Sequence, residues 1–135
     1  MKFLLDTNIC IYIIKGKPIE VLRKFNNFTV GDICISSITF AELQYGVKKS
    51  SNPEKNAQAL IKFIIPLEVL DFDYNAAIKY GLIRTDLEKR GIPIGPLDTM
   101  IAAHCFSQGL TLITNNEKEF VRVPGLKVEN WVEEL

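Results

Sequence analysis

The chain has 135 residues, 47% of them hydrophobic, which is enough to bury roughly two thirds of its unfolded surface in one core and excludes intrinsic disorder over most of its length. Its 16 Lys and Arg balance 16 Asp and Glu, so a globally basic nucleic-acid binder is excluded and any hold on phosphates rests on a local patch. Cys10, Cys34 and Cys105 each sit alone in an apolar run, as buried reduced thiols do, and spell neither a disulfide framework nor a zinc site.

In chain order, Lys2 to Leu5 reads as a strand and Asn8 to Lys15 as a helix. Asp6 interrupts the apolar start where a secretory signal would continue, and no run approaches the ~18 apolar residues of a membrane span, so a soluble cytoplasmic protein is expected. The stretch Ile9 to Ile14 is apolar on every face of a helix and needs cover on all sides. Either the sheet and neighbouring helices supply that cover, or a partner chain takes the outer face. Pro18 opens a helix to Asn26, Asp32 to Ser36 is the second strand, and Thr39 to Lys49 is the next helix. Ser50-Ser51-Asn52 leads into a helix from Pro53 to Ile65, followed by a strand from Leu67 to Phe72. Helices from Tyr74 to Lys89 and from Thr99 to Gln108 end near Gly91 and Gly109, where left-handed C-terminal caps belong. Leu110 to Thr114 and Leu126 to Glu129 complete five strands. Their alternation with helices, without linker or repeat, implies α/β architecture around a parallel sheet in a single domain of residues 1–135.

In an open parallel sheet, ligands bind beyond the carboxyl ends of the strands, so the polar residues after each apolar run carry the functional information. These are Asp6-Thr7-Asn8, Glu42 in the helix entered from Ser36-Ser37, Asp98, and Asn115-Asn116-Glu117-Lys118-Glu119. Each has a structural reading as well. Asp6 or Asn8 can cap the first helix, Thr39 to Glu42 and Asn116 to Glu119 match capping boxes, and Asp98 suits an N-cap. Taken together, Asp6 and the 115–119 segment are tied to strand ends and thus to one edge of the sheet. Converging carboxylates raise one another's pKa unless a cation neutralises them, and oxygen ligands select Mg²⁺ or Mn²⁺ over zinc. A capping carboxylate has a second oxygen free for an ion, and phosphodiester hydrolysis is the reaction class that such a site serves.

The remaining candidates read more plainly. Residues 1–30 hold five basic against two acidic side chains, and Arg84, Lys89 and Arg90 read as a solvated helix face rather than RNA contacts. His104, six residues after Asp98, reads as a core histidine, and Trp131 as packing the last segment onto the sheet. A phosphoryl-acceptor role for Asp6 is disfavoured, because Asn8 stands where haloacid-dehalogenase-type phosphatases need a second Asp.

Four ordered blocks resemble the PIN-domain ribonucleases, and within them the VapC-type toxins of toxin–antitoxin pairs. They are Leu4-Leu5-Asp6-Thr7-Asn8; Ile35 to Leu43 with Tyr45-Gly46; Ile94 to Ala103; and Leu112 to Phe120, leading into Val123-Pro124-Gly125-Leu126. The resemblance implies a three-layer α/β/α sandwich with strand order 3-2-1-4-5, placing Asp6 beside Asn115 and Asn116. It implies Mg²⁺ or Mn²⁺ held by Asp6 and Asp98, with Glu42 completing the acidic cluster. Many relatives carry an acid at the position of Asn116, so the fourth catalytic acid is assigned to Glu119, with Glu117 solvated. Thr7, Asn8, Thr99, Thr114, Asn115 and Asn116 are assigned as hydroxyls and amides that orient the acids. The family further implies an endoribonuclease acting on a structured RNA with a single-stranded loop, a homodimer, and a cognate antitoxin covering the groove, with Ile9 to Ile14, Leu43 and Val47 as candidate contact surfaces. The alternative from the amide at 116 is a catalytically inactive module that binds RNA or protein.

Overall fold

Short runs form the strands, apolar in the three inner ones, and helices form the two layers that cover them in the computed structural model, which describes residues 1–132. The strands are β1 (Phe3–Leu5), β2 (Ile33–Ser36), β3 (Glu68–Leu70), β4 (Thr111–Ile113) and β5 (Lys127–Glu129). They pair in parallel in the order β3-β2-β1-β4-β5, as the resemblance implied. The register sets Leu4 between Cys34 and Leu112. Because side chains alternate across a strand, Phe3 and Leu5 face one core with Ile33, Ile35 and Ile113, while Leu4, Cys34 and Leu112 face the other. The three inner strands lie between two helical layers and are almost wholly apolar, as parallel strands covered on both faces must be.

The first layer comprises α1 (Thr7–Lys15), α2 (Ile19–Asn27), α3 (Ser37–Lys49) and α4 (Pro53–Ile64). The opposite layer contains α5 (Tyr74–Lys89), α6 (Pro96–Ser107) and the short α7 (Glu117–Phe120). Pro53 opens α4 behind an Asn52 cap, and Gly91 and Gly109 take φ of 71° and 66°, the left-handed geometry expected after α5 and α6. On α1, Ile9, Cys10 and Ile13 are buried, while Ile11, Tyr12 and Ile14 are only partly covered by the same core. The fold thus supplies most of the cover that this helix requires, and its outer face remains accessible. Trp131 closes that core from the chain's far end, stacked on Phe28 at 5.4 Å and edge-on to Phe3 at 5.9 Å. All three cysteines are buried and free.

Helix starts differ in detail from those read in the sequence: Pro18 is the N-cap of α2 rather than its first residue. Ser36, the last residue of β2, caps α3 by accepting from the Ile38 N–H, so Thr39 lies buried inside the helix and the Thr39–Glu42 capping box does not form. Gly95 is the N-cap of α6 and Pro96 its first residue, which puts Asp98 at the third helical position rather than at the cap. Asn116 occupies the N-cap of α7, but its side chain makes no capping bond. Among the described residues no helix is long and apolar enough to cross a membrane.

Candidate active site

The chain order of the strands reverses between β1 and β4, and the acids gather beyond the carboxyl ends of this pair. Asp6 follows β1 directly. Its N–H donates to the Ile113 carbonyl at 3.0 Å, which continues the β1–β4 ladder and fixes the backbone. Its Oδ1 caps α1 by accepting from the Ile9 N–H at 2.9 Å, and its Oδ2 accepts from the Thr114 hydroxyl at 2.5 Å. Cap and site roles therefore meet in one carboxylate, which is only 4% exposed. Burial pushes its pKa up from 3.8 to about 6 against the pull of the two hydrogen bonds, and the charges of Asp98 and Glu42 push the same way.

Each neighbouring acid is placed differently. Glu42, on α3, accepts from the Thr7 hydroxyl at 2.9 Å, and Thr7 lies 3.4 Å from the Thr39 hydroxyl, so the first turn of α1 orients the α3 acid. Asp98 projects from the first turn of α6, half-buried, with no hydrogen-bond partner for its carboxylate among the described residues. Burial, then the charges of Glu119 and Glu42, raise its pKa above the ordinary carboxylate value. Glu119, on α7, accepts from the Asn116 amide at 2.8 Å through Oε2, and among the described residues Oε1 makes no hydrogen bond.

The supporting residues divide into two groups. Thr114 is buried and doubly used, donating to Asp6 and accepting from the Asn116 N–H at 2.9 Å, so one hydroxyl joins the first acid to the segment that carries the fourth. Thr7 and Asn116 also bond directly to acids. Thr99 instead donates to the Gly95 carbonyl at 2.8 Å and steadies the start of α6 without touching a carboxylate. Asn8 is exposed in the first turn of α1, and among the described residues it makes no side-chain hydrogen bond. Asn115 points away from Asn116: its amide meets the Tyr12 hydroxyl at 3.4 Å and accepts from Asn130 at 3.2 Å. Asn130 also donates to Glu117 at 3.0 Å, which fixes Glu117 on an outer rim. Tyr12 and Asn130 are the rim residues that the sequence reading missed, because they lie 103 and 15 residues from Asn115 and belong to no motif.

His104 is a core residue. Its Nδ1 is 2.8 Å from the Ser36 hydroxyl, its ring stands edge-on to Phe72, and burial lowers its pKa. Arg84 and Arg90 are engaged in exposed ion pairs with Glu88 and Asp86. A groove of about 390 Å³ runs between α1, α3 and α4, lined by Ile11, Ile14, Leu43, Gly46 and Leu60, with Lys15 and Glu42 also on its wall.

The donor set suits a hard cation: Asp6 and Asp98 are both disfavoured as free anions, and the oxygens of Asp98 are otherwise unused. Among the described residues no three acids, histidines or cysteines are drawn together tightly enough to enclose an ion. Two carboxylates with water completing the shell is the arrangement Mg²⁺ prefers. Removing the Thr114 hydroxyl tests how far Asp6 depends on it. Thr114→Val is expected to weaken Mn²⁺ binding at this end of the sheet roughly tenfold to a hundredfold, the cost of losing a hydrogen bond that orients a metal-binding carboxylate. Titration with Mn²⁺ alongside a melting curve checks this, since a fall that tracked unfolding would not support an orienting role.

The PIN domain family matches residues 3–126. The tRNA(fMet)-specific endonuclease VapC of Salmonella typhimurium is 50% identical over 131 residues, covering 97% of this chain and 98% of that protein. Ribonuclease VapC2 of Haemophilus influenzae is 48% identical over 132 residues, covering 98% of this chain and 99% of that one. Among solved structures, DNA-bound VapBC from Salmonella typhimurium matches with a TM-score of 0.93 at 51% identity, covering 98% of this chain and 99% of that one. VapBC2 from Rickettsia felis, bound to a promoter DNA fragment, matches with a TM-score of 0.92 at 44% identity, covering 98% and 100%.

Proposed function

The chain belongs to the PIN domain family, among the VapC endoribonuclease toxins that a cognate antitoxin neutralises, and from that premise we propose that Asp6, Glu42, Asp98 and Glu119 form its catalytic centre. The observation that carries the proposal is Asp6 itself: a buried carboxylate at the sheet's switch point, held at both oxygens, with the charges of Asp98 and Glu42 against it. Asp6 and Asp98 would hold Mg²⁺ or Mn²⁺. When bound, the ion supplies Lewis-acid stabilisation of the phosphate and makes water more acidic. Glu42, aligned by Thr7, adds negative charge to the cluster and helps retain the cation. Glu119, anchored through Oε2 by Asn116, takes the proton of the attacking water at Oε1. Burial of Asp6 and Thr114 keeps bulk water from that side of the site.

Asn116 was the feature that favoured an inactive module. Its amide instead serves an acid, where a carboxylate in the same place would repel Glu119, and the curated relatives are named as endonucleases or ribonucleases.

The substrate we assign is initiator tRNA, the RNA named for the Salmonella relative, whose single-stranded loops expose phosphates to a shallow acidic site. The antitoxin's tail is assigned to the groove between α1, α3 and α4, which reaches Glu42 and lies beside the outer face of α1. A homodimer is supported by a stripe of exposed apolar residues on α5, Tyr74, Ile78 and Leu82, at four-residue spacing. One domain spanning residues 1–135, working in the cytoplasm where RNA and free thiols coexist, completes the reading. Antitoxin-free protein incubated with a cellular RNA pool and Mg²⁺ tests it. Discrete fragments of initiator tRNA are expected, and an intact initiator tRNA beside other cleaved RNAs would overturn the substrate assignment.

A further inference from the structure

Asp98 and Glu119 approach the site on separate segments. β1–β4 pairing and Thr114 tie Asp6 to the last block, and Thr7 ties Glu42 to α1. Asp98 arrives at the end of an irregular connection, residues 91–95, and Glu119 sits on a helix of four residues. Their charges repel, since Glu119 is the strongest Coulombic influence on Asp98. Some other interaction must fix their separation.

Two arginines join these segments. Arg90, at the end of α5, donates Nη2 to the Arg122 carbonyl at 2.7 Å, and the same guanidinium holds Asp86 at 2.7 and 3.0 Å. Arg122 donates Nη1 to the Pro93 carbonyl at 3.1 Å, inside the connection that leads to Asp98. Its backbone N–H donates to the Glu119 carbonyl at 3.1 Å, so the clasp ends directly on the turn that carries the fourth acid. Each guanidinium thus grips a backbone carbonyl of the other segment, across 32 and 29 residues of sequence. A bond to a carbonyl holds the chain itself, so its loss moves Asp98 or Glu119 even though neither arginine bonds to either of those two carboxylates.

We propose that Arg122, braced by Arg90, is a positioning residue that sets the spacing of Asp98 and Glu119. The proposal rests on the reading that these two acids serve one centre. Misplacement by about 1 Å is enough to cost a reaction a large factor.

Arg122→Met keeps the aliphatic stem and removes the grip. The expected result is a fall of about tenfold in kcat with KM for RNA within about twofold, and weaker Mn²⁺ binding by electron paramagnetic resonance. Amide hydrogen exchange should speed up in residues 91–98 and 117–122 while the melting temperature holds. In a Glu119→Gln background the same change should cost less kcat than in the wild type, because one of the two groups whose spacing it sets is gone. Arg90→Lys, which can keep the Asp86 ion pair, repeats the test from the other segment should Arg122→Met fold poorly. Unchanged exchange in both segments would overturn the proposal. So would a loss confined to KM and altered by salt, which would make Arg122 an RNA contact. Full activity in Glu119→Gln alone would overturn the role of that acid, and the exchange result, read without catalysis, would distinguish the two failures.

Discussion

Asp6→Asn gives a folded protein that no longer cuts RNA. Asparagine keeps an oxygen for the Ile9 N–H, and the Thr114 hydroxyl can turn to accept from the new amide, so the start of α1 and the β1–β4 ladder survive. The charge does not survive, and with it goes one of the two carboxylates assigned to the cation. Loss of an outer-shell partner already costs such sites about 10–100-fold, so a ligand lost outright should cost more, on the order of 1000-fold. The metal-free stability should move the other way. Because burial raises the folded pKa from 3.8 to about 6, the native state holds a proton between those values that the unfolded state has released. The contribution of Asp6 to stability is therefore greatest below about pH 4, is lost as the pH rises through about 6, and above it is lower by roughly 3 kcal/mol. Asparagine carries no such charge. In EDTA at pH 7.5 the variant should melt several degrees above the wild type, and that difference should close at pH 4. Substantial cleavage by Asp6→Asn would remove the centre from this end of the sheet.

Gly46→Leu should free the toxin from its antitoxin. Gly46 lies on α3, one turn beyond Glu42, on the wall of the groove between α1, α3 and α4, and a Cβ there meets nothing within 4 Å, so a side chain at this position starts into open space. The helix itself gains, since leucine is the better helix former by close to 1 kcal/mol. A leucine side chain takes much of the space in a groove of about 390 Å³ and meets the Ile11 and Leu43 walls that an antitoxin's apolar residues would otherwise occupy. The antitoxin's Kd should rise by about 100-fold or more, the cost of losing a central anchor site. Calorimetric titration with the antitoxin measures this, and RNA cleavage at an antitoxin concentration that silences the wild type gives the functional counterpart. Unchanged affinity would place the antitoxin's tail elsewhere on the surface.

The three inner strands were legible because each is a short apolar run with no helical period, whereas β3 and β5 carry charged residues at the sheet's edges, and the side-chain alternation of Phe3, Leu4 and Leu5 between two cores follows from strand geometry alone. Pro53, Gly91 and Gly109 were equally readable, since each backbone position admits few alternatives. Cap assignments failed where several hydroxyls compete. Ser36, Ser37 and Thr39 are all plausible starts, and the continuation of β2 through Ser36 selects the first. The start of α7 was read as a cap at Asn116, but the helix itself was not, because four residues carry too little periodicity to register. Asp6 and the 115–119 segment stood out after strands, and Glu42 and Asp98 as acids at helix starts that the resemblance drew into one site, but the Thr114 bond to Asp6 and the Thr7 bond to Glu42 came only from the tertiary fold. The Arg122 grip on Pro93 had no signature at all, because a backbone carbonyl is the same at every residue.

The most direct test of the central claim follows Mn²⁺ binding and cleavage of initiator tRNA in the same antitoxin-free sample. As Mn²⁺ is added to wild-type protein, the bound-ion signal and the cleavage rate should rise together, both should vanish with EDTA, and Asp6→Asn should show neither. Cleavage that persists in EDTA, or Mn²⁺ binding that Asp6→Asn leaves unaltered, would contradict a metal-dependent centre built on Asp6.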